Sequence, residues 1–181
     1  MTSHHVRAIA PRVSKELRVR DDAGRSRLPV EDAEGGASLR CCLRPSEPGE
    51  RLALVSYAPL RRWAAETGAR PGAYDEQGPV FLHAGECPGQ DASAHPFSFS
   101  RHPFAPYPGV PYPFARPGAL RTLRRYSADG HILGGRCLDL PERADEALDA
   151  ALSEAFADPE VALVHVRAVE YGCFLYEVRR R

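Results

Sequence analysis

The spacing of apolar and polar residues along the chain sets the first expectations. Val6-Arg7-Ala8-Ile9-Ala10 alternates and predicts a short opening strand. Ser14 is placed to cap a short helix running through Asp21. Residues 21–36 are polar and turn-rich, and predict a loop. From Ser38 to Arg44 the alternation is clean, with Leu39, Cys41 and Leu43 on one face of a strand and Arg40, Cys42 and Arg44 on the other. Pro45 to Gly49 reads as a turn. Arg51 to Tyr57 and Gly78 to Ala84 are short apolar runs that predict buried strands. Between them, Leu60, Trp63, Ala64 and Thr67 fall on one helical stripe, stopped by Gly68. Leu120 to Asp139 predicts a hairpin turning at Asp129-Gly130. The clearest helix spans Pro141 to Phe156, where Ala144, Ala147, Leu148, Ala151, Leu152 and Ala155 recur at the amphipathic spacing.

The last stretch, Val161 to Arg179, reads as a second hairpin. A three-residue loop, Val169 to Tyr171, puts Ala162, Val164 and Val166 on the face of Phe174, Tyr176 and Val178. The other face then collects Leu163, His165, Arg167, Cys173, Leu175, Glu177 and Arg179. With strands paired locally and few long helices, the order predicts an α+β fold. It would be mainly an antiparallel sheet of hairpins, with one clear amphipathic helix in the C-terminal half and one or two short helices, and not a doubly wound parallel sheet. At 181 residues the chain suits one domain over residues 1–181, able to bury a core without disulfides or metal staples. Residues 95–118 stand apart. Prolines interleave with Phe97, Phe99, Phe104, Tyr107, Tyr112 and Phe114, which excludes regular helix or central strand. A loop packed over the domain is expected there, and a proline-rich docking segment is the functional alternative.

Charge narrows the partners. The 24 basic and 24 acidic residues cancel, so no global field draws in nucleic acid or an anionic membrane. Lys15 is the only lysine, a bias read mainly as codon usage. No stretch approaches the roughly 20 apolar residues of a membrane span, and the first ten residues lack the pattern of a secretory signal. Five irregularly spaced cysteines give no secreted-type disulfide framework. The expectation is a cytoplasmic chain with reduced thiols.

Three stretches together resemble a known family. They are Arg40 to Arg44 running through Pro48-Gly49-Glu50 to Ser56-Tyr57; Tyr74-Asp75-Glu76-Gln77-Gly78-Pro79-Val80-Phe81-Leu82-His83-Ala84 with Cys87; and Tyr171-Gly172-Cys173-Phe174 running to Arg179. From about Gly35 to its end the chain is similar to the bacterial family labelled "domain of unknown function 1203". Relative to that family the proline and aromatic segment is a local elaboration. The resemblance implies a fold and a set of candidate residues, and carries no activity.

The candidates support three chemistries. Read as strand neighbours, Arg40 and Arg44 flank Cys42 and favour its thiolate, which suits a nucleophile with His83 as base and Glu50 or Glu76 as orienter; the plainer reading is a small buried side chain beside surface arginines. His83 and Cys87, with three residues between them at a strand end, could share a zinc ion completed by Cys42, Cys173 or His165; the plainer reading is a hydrogen-bonded core histidine. Arg40, Arg44, Arg167 and Arg179 fall on polar strand faces and, if those faces converge, form a pocket for a small anion or a protein partner together with Glu50, Tyr57, Glu76 and Cys173. The expectation placed first is a binding or regulatory domain with that Arg/Cys-lined pocket. The enzyme and the His83–Cys87 zinc site are its alternatives, and no cofactor is strongly implied.

Overall fold

The structure, a computed structural model, describes residues 4–87 and 112–180. Among these the elements run β1 (Val6–Arg7), α1 (Pro11–Val19), β2 (Val30–Asp32), β3 (Ser38–Leu39), β4 (Arg44–Pro45), β5 (Glu50–Tyr57), α2 (Pro59–Thr67), β6 (Gly78–His83), β7 (Leu120–Tyr126), β8 (Ile132–Asp139), α3 (Ala144–Ala157), β9 (Leu163–Ala168) and β10 (Phe174–Arg179). The fold is α+β, as the periodicity predicts, with three helices and two five-stranded sheets. The chain gathers into two compact units. One comprises Met1–Arg7, Ala58–Gly78 and Ala115–Arg181, and the other Ala8–Tyr57 and Pro79–Phe114.

The first unit holds the sheet β1-β10-β9-β7-β8, antiparallel throughout. The β7–β8 hairpin turns through Asp129-Gly130 as expected. Gly130 adopts φ +86°, and a Cβ there would lie 2.9 Å from Pro71 Cβ, so both backbone and space call for glycine. In α2, Leu60 and Trp63 pack with Tyr126 and Leu163, and Gly68 stops the helix at φ 77°. In α3, Leu148, Ala151, Leu152 and Ala155 are buried along the predicted stripe. The β9–β10 hairpin keeps most of its predicted apolar face, since Val166 pairs with Tyr176 and Val164 with Val178. Its register is two residues from the one expected: the loop runs from Val169 to Gly172, one residue longer than predicted, and a bulge between Phe174 and Tyr176 adds the second, moving Phe174 off the predicted face to lie opposite Arg167. A shift of two preserves side-chain parity, so Val164, Val166, Tyr176 and Val178 stay on one face; Leu163, His165, Leu175 and Glu177 on the other are buried too. The bulge also brings the Phe174 ring edge onto His165, with centroids 5.1 Å apart, while Tyr126 covers the same imidazole at 4.8 Å.

The second unit holds the sheet β2-β5-β6-β3-β4. Two local expectations are corrected here. Helix α1 starts at Pro11, not at a Ser14 cap: proline's fixed φ suits the first helical position, and Ser14 lies inside the helix with its hydroxyl donating to Ile9 O. The strand expected over Ser38–Arg44 is instead two short strands separated by a tight turn at residues 40–43. Leu43 N–H donates to Leu39 O at 2.8 Å and Leu43 itself sits at φ 60°. A turn of this kind buries Leu39, Cys41 and Leu43 as well as a strand face does, so the alternation could not distinguish them. Strand β6 forms where the apolar run predicts it but is buried on one side only, with Val80 and Leu82 buried and Phe81 and His83 half-buried on the other. Of the proline and aromatic segment 95–118, residues 95–111 lie outside the described residues; Tyr112 is buried.

Candidate metal centre

Strand β3 runs parallel to β6 with Leu39 opposite Phe81, and Arg40 N–H donates to Phe81 O at 2.9 Å. Two residues further along both chains, the same register sets Cys41 beside His83, whose N–H points at Cys41 Sγ, 3.4 Å away. The turn at 40–43 then directs the neighbouring Cys42 to the same place. Cys41 Sγ lies 3.2 Å from His83 Nδ1, and Cys42 Sγ lies 3.9 Å from it. Cys87 follows four residues after His83 and completes the group. One donor atom from each of Cys41, Cys42, His83 and Cys87 lies within 4.8 Å of all the others. Around a tetrahedral zinc ion, with Zn–S near 2.3 Å and Zn–N near 2.0 Å, three sulfurs and one nitrogen stand about 3.5–3.8 Å apart. The observed spacings straddle that range.

The imidazole is oriented from behind. His83 Nε2 is 2.8 Å from Glu50 Oε1, and Arg44 grips the same carboxylate with two contacts of 3.1 and 2.5 Å. Glu47 N–H also donates to Glu50 Oε2 at 2.9 Å. Burial works to raise the Glu50 pKa, but the Arg44 hydrogen bonds, the Glu47 amide and the Arg44 charge outweigh it, so the carboxylate stays ionised. Glu50 and Arg44 Nη2, the latter 2.7 Å away, both meet the ring at Nε2, while Nδ1 faces the sulfurs of Cys41 and Cys42; ligation through Nδ1 requires that nitrogen to give up its proton, with Nε2–H then donated to the carboxylate.

The thiols behave differently from the strand-face reading. Hydrogen bonding to Cys41 and Cys87, then burial, push the Cys42 thiol far up, so flanking arginines do not activate it. For His83 burial acts downward, but hydrogen bonds to Cys41 and Cys87 and their charge push the imidazole up to about 10. The Cys42 thiol thus resists ionising by itself, and a divalent cation coordinated to its sulfur would favour the thiolate. A cleft of about 390 Å3, lined by Arg44, Glu47, Pro48, Gly49, Glu50, His83, Glu86 and Cys87, reaches the cluster from solvent.

Of the residues singled out in the sequence, Cys42, His83, Cys87, Arg44 and Glu50 come together here. Arg40 belongs to the same turn, buried with its guanidinium on Ser38 O, and Tyr57 is buried at the end of β5. Glu76, Arg167, Cys173 and Arg179 are elsewhere, in the first unit. There Glu76 binds Arg124 and Arg167, Arg167 also donates to Gly172 O, Cys173 Sγ lies 3.6 Å from Tyr171 O, and Arg179 is held by Glu66 and Glu177. His165 is also in that unit, fully buried with neither ring nitrogen hydrogen-bonded. Sequence reasoning left Cys41 out of every site, because alternation sent it to the face away from Cys42. The adjacent cysteine pair was itself the available signal.

These observations define an α+β protein whose most organised polar feature is a Cys/His cluster. Residues 36–180 match the family described as "Protein of unknown function (DUF1203)", and the chain belongs to that family. No curated protein and no solved structure matches the chain. Among the described residues, no helix is long and apolar enough to cross a membrane.

Proposed function

We propose that the chain binds one zinc-type ion through Cys41, Cys42, His83 Nδ1 and Cys87, and that this ion organises the second unit. The observation that carries the reading is the mutual 4.8 Å spacing of four donors drawn from two separate stretches of chain. Three sulfurs and one imidazole are the donor set of a closed structural zinc site, with soft ligands that suit zinc over hard cations. Glu50 supplies the carboxylate behind the histidine that such ligands generally carry. Bound here, the metal would pin the strained turn at residues 40–43 to the end of β6. Such a centre needs thiolates, which fits a reducing compartment such as the cytoplasm.

A second reading is favoured by the His83–Glu50 contact alone. Cys41, His83 and Glu50 stand in the order nucleophile, base and orienter, with contacts of 3.2 and 2.8 Å. Against it, the Cys41 side chain is buried, and the triad leaves Cys42 and Cys87 with no part to play. The anion-pocket reading has less support. Arg44 is committed to Glu50, and Arg167 and Arg179 are committed to carboxylates of their own unit.

Native mass spectrometry with and without chelator, beside elemental analysis, tests the proposal. One zinc per chain is expected in the wild type, removed by chelator and absent from His83→Ala and Cys87→Ser. A bare protein that takes up no added zinc, together with a single thiol alkylated far faster than the others, would replace the metal reading by the nucleophile.

A further inference from the structure

We propose that the same cluster is a redox modification site, in which Cys87 and Cys42 form a reversible disulfide that expels the metal; the inference rests on the metal reading above. The cleft gives direction to the chemistry. Cys87, though largely buried, is the one cysteine among the residues lining it, which makes Cys87 the thiol open to a small peroxide entering from solvent. Cys42 is the less buried member of the adjacent pair, and its sulfur lies within 4.8 Å of the Cys87 sulfur.

The geometry also selects which two sulfurs can join. Adjacent residues on a trans peptide have Cα atoms about 3.8 Å apart, below the roughly 4.4 Å that an unstrained disulfide needs. A Cys41–Cys42 bridge is therefore disfavoured, and the bridge must include Cys87. Cys41 is the less available partner, being buried and in contact with both the backbone N–H and Nδ1 of His83.

The steps balance with hydrogen peroxide as the two-electron oxidant. The Cys87 thiolate attacks one peroxide oxygen, the O–O bond breaks, and Cys87 sulfenic acid and hydroxide form. The Cys42 thiolate then attacks the Cys87 sulfur, displaces a second hydroxide and closes the S–S bond. The two sulfurs have lost two electrons and both peroxide oxygens have been reduced. Cys41 and His83 alone cannot hold zinc tightly, so the ion leaves and Cys41 takes up a proton. A dithiol reductant reverses the exchange and restores the donor set.

The experiment uses the full chain with Cys137→Ser and Cys173→Ser, zinc-loaded and titrated with hydrogen peroxide. Zinc release is read with a chromophoric chelator, and linkages by mass mapping of a non-reduced digest. The expected result is one zinc released per disulfide, a peptide linking residue 42 to residue 87, and recovery of zinc binding after dithiothreitol. In Cys42→Ser, peroxide should leave Cys87 as sulfenic or higher acids with no link. A zinc-bound protein that releases no zinc, or links 41 to 87 or 41 to 42, overturns this inference and leaves the metal reading standing. A wild type that binds no zinc overturns the metal reading, while the mapped linkage still reports on the pairing.

Discussion

The carboxylate behind the histidine gives the sharpest test of the metal geometry. Glu50→Gln keeps the shape of the side chain and an oxygen for the Glu47 amide 2.9 Å away. It removes the negative charge 2.8 Å from His83 Nε2 and the ionic half of the contacts with Arg44. The side chains of His83 and Glu50 are 12% and 21% exposed, so solvent only partly screens the loss. A hydrogen bond to an ionised acceptor is about twice as strong as one to a neutral acceptor. Carboxylates behind metal-bound histidines generally contribute 10–100-fold to affinity. We expect zinc affinity to fall by about that factor, equivalent to about 1.4–2.7 kcal/mol. Competition against a chromophoric chelator at pH 7.4 measures it. Arg44→Gln is the control, since it leaves the carboxylate in place for Nε2–H, and its affinity should stay within about threefold of wild type. Unchanged affinity in Glu50→Gln would refute ligation through Nδ1 backed by Glu50. An equal loss in both variants would show that the Arg44–Glu50 pair acts only as a brace for the loop.

Two further outcomes concern the first unit. His165 lies in a row with Arg124, Glu177 and Arg7 on successive strands, and burial first, then the charges of Arg167, Arg124 and Arg179, hold its pKa well below 6.5. The folded protein then binds fewer protons than the unfolded chain once pH drops below 6.5, so its stability contribution is intact above that pH and is lost as pH falls toward the folded pKa, by up to about 1.4 kcal/mol per pH unit. Denaturant unfolding at pH 7.5 and 5.5 should show this loss in wild type and not in His165→Phe, whose ring can occupy the slot between Tyr126 and Phe174; equal losses in both would place the acid sensitivity elsewhere. At the hairpin turn, Gly130→Ala must hold alanine at φ +86° with its Cβ against Pro71, and should destabilise the protein by about 1–3 kcal/mol in thermal or denaturant melts; an unchanged midpoint would mean that the Pro71 segment yields freely.

Much of the scaffold was legible because it is locally encoded. The stripe of α3, the stop of α2 at Gly68 and the turn of β7–β8 depend on residues within a few positions of one another, where period and turn chemistry act directly. Most of the predicted β9–β10 face survived an error in register because a shift of two preserves side-chain parity, Phe174 at the bulge being the exception. The site was legible only in part. Residue type and motif placed Cys42, His83, Cys87, Arg44 and Glu50 under suspicion in overlapping groups, alongside Cys173, His165, Glu76 and arginines that lie elsewhere, because distance in sequence hid which of them converge. What joined them is the parallel pairing of Leu39 with Phe81, followed by a turn that alternation cannot distinguish from a strand. By itself, then, the sequence determined the class of fold, its hairpins and helices, and the residue types available for chemistry, since these follow from short-range periodicity and side-chain identity. Only the tertiary structure decided that Cys41 joins Cys42 on the side of His83, 42 residues away, because that depends on a long-range strand register and on a left-handed Leu43 that no local pattern announces.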